Sequence, residues 1–147
     1  MKENIPKAII MFLTGGITYF YFEIFVRGYS HISMFFLGGL CFCLVGNIGM
    51  MMMMRINWSL MSKLIIIMLM SSCIITFLEL ITGIIVNIRL NLSVWDYSQL
   101  KYNYRGQICL LYSTVWSVLG LPCVFYYGII EKFVIGSDSV EKTEAKQ

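Results

Sequence analysis

Four stretches of this sequence are each long and apolar enough to cross a bilayer, and nothing else in it constrains the fold as tightly. A hydrocarbon core of ~30 Å takes ~20 helical residues at 1.5 Å per residue. Ile5–Val26, Met34–Met54, Leu64–Ile88 and Ile108–Ile130 all reach that length. Runs such as Leu64-Ile65-Ile66-Ile67-Met68-Leu69-Met70 show no period of two, which argues against a transmembrane β-barrel. A helix satisfies its own backbone in lipid, so the pattern predicts an all-α, integral membrane four-helix bundle. The membrane domain is expected over residues 1–134, followed by a flexible polar tail over 135–147. The connections are Arg27–Ser33, Arg55–Lys63 and Arg89–Gln107. The third is long enough to be a structured loop between helices 3 and 4.

Composition enters only to exclude. Charged residues make up 13% of the chain, against about 25% in soluble domains, which argues against a water-soluble enzyme. The net charge of +3 is spread along the chain without a basic run, so no nucleic-acid partner is expected. The first span exceeds the ~7–15 apolar residues of a signal peptide and lacks a small-residue cleavage site. It reads as a retained helix opening at Asn4, with Pro6 in its first turn.

Four spans put both termini and the Arg55–Lys63 loop on one side. That side carries Lys2, Lys7, Arg55, Lys63, Lys132, Lys142 and Lys146; the other carries Arg27, Arg89, Lys101 and Arg105. The positive-inside rule therefore predicts cytoplasmic termini.

Charged groups inside a span cost ~2.5–3.5 kcal/mol each on insertion scales, so Glu23 and Glu79 need a reason. Glu23 lies about 27 Å along the first helix and Glu79 about 22 Å along the third. These helices run in the same direction, so both acids approach the outer face. Arg27 and His31 follow Glu23 at spacings of four, which share a face if the helix continues. The same end carries Trp95, Asp96, Tyr97 and Gln107. Together these eight residues form a polar, aromatic-rimmed cap, the candidate ligand-binding site. A second reading stands beside it: Glu23 and Arg27 could be a structural ion pair, with Glu79 paired to Arg27 or Arg89.

Small and polar residues line each helix. They include Gly16 in the first; Gly39, Cys43 and Gly46 in the second; Ser72, Thr76, Gly83 and Asn87 in the third; and Ser113, Ser117 and Gly120 in the fourth. Close helix packing is the leading reading of such stripes, and a lined pathway the alternative. The cysteines, at 41, 43, 73, 109 and 123, read as buried free thiols, and the Met50–Met54 run as packing and lipid-facing side chains. One histidine and no acidic cluster of ligand spacing argue against a metal centre. There is no phosphate-binding loop and no dinucleotide fingerprint, and no cofactor is expected.

Gly15-Gly16, Tyr19, Glu23, Arg27-Gly28-Tyr29-Ser30-His31, Met34, Gly38-Gly39, Phe42, Gly46 and Glu79-Leu80-Ile81-Thr82-Gly83 occur in a recognisable order. With Trp95-Asp96-Tyr97-Ser98, Gly106-Gln107-Ile108-Cys109-Leu110 and Trp116 they resemble the small bacterial membrane proteins grouped as ABC-transporter type IV, or CmpB-like, permeases. The resemblance implies a bacterial cytoplasmic membrane and a transporter role rather than an enzyme. The lipid bilayer is then its surroundings, and four helices make a thin pathway. A homo-oligomer or a partner membrane or ATPase subunit would complete it. The opposed charges of the cap suit a zwitterionic solute or a proton-coupled step. The competing class is a non-transport membrane module for assembly, sensing or lipid and partner interaction.

Overall fold

In the computed structural model, residues 4–144 are described in backbone and residues 8–133 in side chain as well. The helices are α1 (Asn4–Arg27), α2 (Ile32–Arg55), α3 (Leu60–Gly83) and α4 (Leu110–Glu144). Ile84–Arg89 continues α3 as a π-helical turn, and the loop beyond it holds two short strands, β1 (Asn103–Tyr104) and β2 (Ile108–Cys109). The four apolar spans become four helices long and apolar enough to cross a membrane, over Ala8–Arg27, Ile32–Arg55, Leu60–Arg89 and Leu110–Phe133. The polar tail expected over 135–147 lies outside the described side chains.

The helices start and stop for local reasons. Gly28, at φ +80°, ends α1, its N–H donating to the Ile24 carbonyl at 2.8 Å; this is the left-handed stop that favours glycine. The Ser59 side chain caps α3 by accepting from the Ser62 N–H at 3.3 Å, so the helix opens four residues before the apolar run at Leu64. Lys63 Nζ donates to the Met53 carbonyl at 2.9 Å, satisfying a free acceptor in the last turn of α2.

The molecule is apolar on the outside. Phe25, Phe133, Phe125, Tyr21 and Leu69 are among its most exposed residues, as lipid contact requires and water would not allow. Inside, α1 packs along α2, α2 lies against α3 and α4, and α3 pairs with α4; α1 and α4 touch over only a short stretch. Glycine sets the α1–α2 distance. A Cβ on Gly39 would sit 2.7 Å from the Phe12 carbonyl oxygen, and one on Gly16 would sit 2.7 Å from that of Phe35. Both obstacles are backbone, so neither can turn aside. Hydroxyls join α3 to α4: Ser72 Oγ donates to the Ser113 carbonyl at 2.7 Å, and Thr76 Oγ1 lies 2.9 Å from Ser113 Oγ.

All five cysteines are free. Cys41 and Cys109 are buried, Cys43 and Cys123 half-buried, and Cys73 exposed, so the expectation of buried thiols fails at Cys73. Met50, Met52 and Met53 pack against the core formed by Val45, Ile67 and Val124, while Met51 and Met54 face outward.

Candidate functional site

The α1–α2 turn and the α3–α4 loop meet at the end of the bundle away from the termini, termed here the capped end. Three hydrogen-bonded groups build the cap. The first is an ionic clamp. Arg27 Nη1 donates to Glu23 Oε1 at 3.0 Å, within α1 at the expected spacing of four. Arg27 Nη2 donates to the Val94 carbonyl at 2.7 Å and to the Tyr29 hydroxyl at 3.0 Å, and Ser30 Oγ donates to Glu23 Oε2 at 3.1 Å. The planar guanidinium fork thus ties the end of α1 to the α3–α4 loop, a task a point-charge ammonium performs poorly.

The second group is an amide hub. Asn87, in the π-helical turn, donates to the Trp95 carbonyl at 3.0 Å and to Gln107 Oε1 at 2.8 Å, and accepts from the Val94 N–H at 2.7 Å. Trp95 Nε1 donates to the Gln107 carbonyl at 3.0 Å. Arg105 and Gly106, both at positive φ, turn the β-hairpin, and Gln107 N–H donates back to the Tyr104 carbonyl at 3.0 Å. Tyr104 pairs with Ile108, which leaves Gln107 outside the ladder with its side chain turned into the bundle. Gly83 makes room: a Cβ there would lie 2.5 Å from Gln107 Oε1.

The third group surrounds Glu79. The Tyr97 hydroxyl donates to Oε1 at 2.8 Å and Trp116 Nε1 donates to Oε2 at 3.0 Å. Tyr97 stacks on Tyr112 with ring centroids 4.6 Å apart, and Tyr19 lies 6.3 Å from Trp116. Burial, and after it the Glu79 carboxylate, push the Tyr97 phenol well above the usual tyrosine range, so its hydroxyl stays protonated and donates.

The two acids therefore differ. Glu23 and Glu79 are 6% and 3% exposed, so neither can rely on solvent. Glu23 has a guanidinium. Glu79 has only neutral ring donors, and its pairing with Arg27 or Arg89 is not found among the described residues. Glu79 also lines a cavity of about 340 Å³ between the helices, with Tyr19, Phe22, Phe42, Trp116 and Tyr126 around it.

Two sequence-predicted residues sit elsewhere. His31 is not on the Glu23–Arg27 face, because Gly28 breaks the helix before the next turn; it caps α2 instead, accepting from the Ser33 N–H at 3.2 Å. Asp96 is exposed and spends its carboxylate locally, accepting from the Ser98 N–H at 2.8 Å and the Ser98 hydroxyl at 2.9 Å. Conversely, Asn87 and Trp116 were read as packing and as part of a resemblance, yet each is central to a cluster. A tryptophan within a span carries an N–H that needs an acceptor, and that signal points to a nearby acid. Among the described residues no three His, Cys, Asp or Glu side chains come together to hold a metal.

A family model described as "Putative ABC-transporter type IV" matches residues 9–142, which include every element of the cap. The chain belongs to that family. Neither a curated protein nor a solved structure matches it. In this member of the family, the ordered residues that carry the resemblance have positions. Glu23, Arg27, Tyr29 and Ser30 form the clamp, Trp95 and Gln107 belong to the hub, and Glu79, Tyr97 and Trp116 make up the acid cluster.

Proposed function

We propose that the protein is the membrane-embedded subunit of a transporter and binds a small solute at Glu79. The other cap residues, Glu23, Arg27, Trp95 and Gln107 above all, hold the loop over that acid. The observation that carries the reading is the contrast between the acids: Glu79 is as buried as Glu23 but has no cationic partner among the described residues, and it borders a cavity. A buried carboxylate without a counter-charge is costly to keep, and intramembrane acids of this kind mark solute and ion pathways. Its two oxygens each take one donor, leaving lone pairs for a cationic group of a solute. In this reading the capped end faces outward, the termini are cytoplasmic and the membrane is the bacterial inner one. An ATPase partner then docks at the Arg55–Lys63 side, and a second copy or a partner membrane subunit widens the four-helix pathway. The chemistry is transfer without bond breaking, so the protein is not an enzyme.

Choline, a compact cation, serves as the probe. Purified protein in nanodiscs should be thermally stabilised by choline, and Glu79→Gln should remain folded while losing that stabilisation. An equal shift in the variant, or none in the wild type, overturns the reading.

A further inference from the structure

Resting on Glu79 as the solute anchor, we infer that the solute is a lipophilic organic monocation, an alkylated ammonium with an apolar arm, reaching the acid sideways through the seam between α1 and α4. The cavity decides its class. At about 340 Å³ it falls at the small end of the ~300–1,000 Å³ typical of small-molecule sites. Glu79 is the one Asp, Glu, Lys, Arg or His among its described lining residues. Apart from it, Thr18 and the thiols of Cys41 and Cys123, the walls are mainly rings and aliphatic side chains, including Leu37, Ile75 and Leu119. A cation meets the Glu79 carboxyl group and the rings of Tyr19, Trp116 and Phe22, a combination that attracts positive charge in a dehydrated site. A zwitterion would bring a carboxylate with nothing to receive it, because the Arg27 guanidinium is already engaged by Glu23, Tyr29 and Val94. This narrows the expectation of a zwitterionic solute to its cationic half.

Depth and access point the same way. Glu79 lies ten residues before Arg89, the end of the α3 span, about 15 Å along the helix axis. The lining runs from Trp116 to Tyr126, about 15 Å along α4, so the cavity extends into the apolar interior. A fully hydrated solute would be stripped of water along that whole depth, whereas an apolar arm is at home there. The seam is open because α1 and α4 scarcely touch. Thr18 and Phe22 on α1 and Tyr126 on α4 line the cavity and are exposed on the outer surface of the bundle. Tyr19 also lines the cavity, and its hydroxyl has no hydrogen-bond partner among the described residues.

The test compares benzyltriethylammonium, choline and neutral benzyl alcohol on the full chain in phosphatidylcholine nanodiscs, read by thermal shift and tryptophan emission. Benzyltriethylammonium should half-saturate at a concentration lower than choline by about tenfold or more, since burying the apolar arm adds affinity. Benzyl alcohol should not compete. Glu79→Gln should lose both cations, and Thr18→Trp, which fills the rim, should bring benzyltriethylammonium back to the choline range even if the acid variant fails to fold. If choline binds as tightly as benzyltriethylammonium, or Thr18→Trp changes nothing, the lateral lipophilic route is wrong while Glu79 still anchors a solute. If neither cation binds, both readings fall.

Discussion

Two glutamates that look alike in the sequence have opposite settings. The spacing of Glu23 and Arg27 was legible because four residues make one turn, and the pair forms at 3.0 Å. The partners of Glu79 were not legible, since Tyr97 comes from the loop and Trp116 from α4. His31 shows the limit of spacing: one glycine at positive φ cancels the face it assumed. The clamp yields a residue-scale prediction. Arg27→Gln strands a buried carboxylate and frees the Val94 carbonyl. The side chain of Arg27 is 28% exposed, so the loss should be about 2–4 kcal/mol, at or below the ~3–5 expected for a fully buried pair. Replacing both partners, Glu23→Gln with Arg27→Gln, should recover part of the loss, because no uncompensated charge is left. Unfolding of wild type and both variants in one detergent measures this; a double variant worse than Arg27→Gln would mean that Glu23 stabilises the fold even without the guanidinium.

At the scale of the element, hydropathy located all four helices and missed the way α3 ends. Ile84–Arg89 reads as more of the same apolar run, and nothing in its composition announces π-helical winding. The winding matters because it presents Asn87 to the loop, and π-turns are frequent at functional positions. Asn87→Leu removes three hydrogen bonds and leaves the Val94 N–H, the Trp95 carbonyl and Gln107 Oε1 without that partner. Each stranded buried group costs roughly 1–3 kcal/mol. The expected outcome is faster hydrogen exchange across residues 91–107 with protection of α1 and α2 unchanged. Asn87→Asp keeps the acceptor for the Val94 N–H and should fall between wild type and Asn87→Leu. Uniform loss of protection throughout the bundle would show instead that the hub supports the fold as a whole.

For the whole molecule, the small-residue stripes predicted close packing, and Gly16, Gly39 and Gly120 are indeed where neighbouring helices leave no space for a Cβ. Sequence could not reveal which helices would meet only briefly, because the α1–α4 seam depends on three-dimensional arrangement rather than on any one stripe. Orientation is a property of this scale too, and the expectation of cytoplasmic termini rests on seven positive residues assigned by sequence to the terminal side against four on the capped side. Gln99 lies exposed in the α3–α4 loop and Asn57 exposed between α2 and α3, at opposite ends of the bundle. No native cysteine occupies an exposed loop, so a new thiol at either position can be read above background. In intact cells a membrane-impermeant maleimide should label Gln99→Cys and spare Asn57→Cys, and inverted vesicles should reverse the result. The reverse in intact cells would put the Glu79 cap on the cytoplasmic side. An ATPase partner would then have to dock against Tyr102 and Arg105 rather than the Arg55–Lys63 loop, and cations would enter Glu79's cavity from the inner leaflet. The sidedness of this one loop therefore decides whether the proposed solute would reach the seam from outside the cell or from within it.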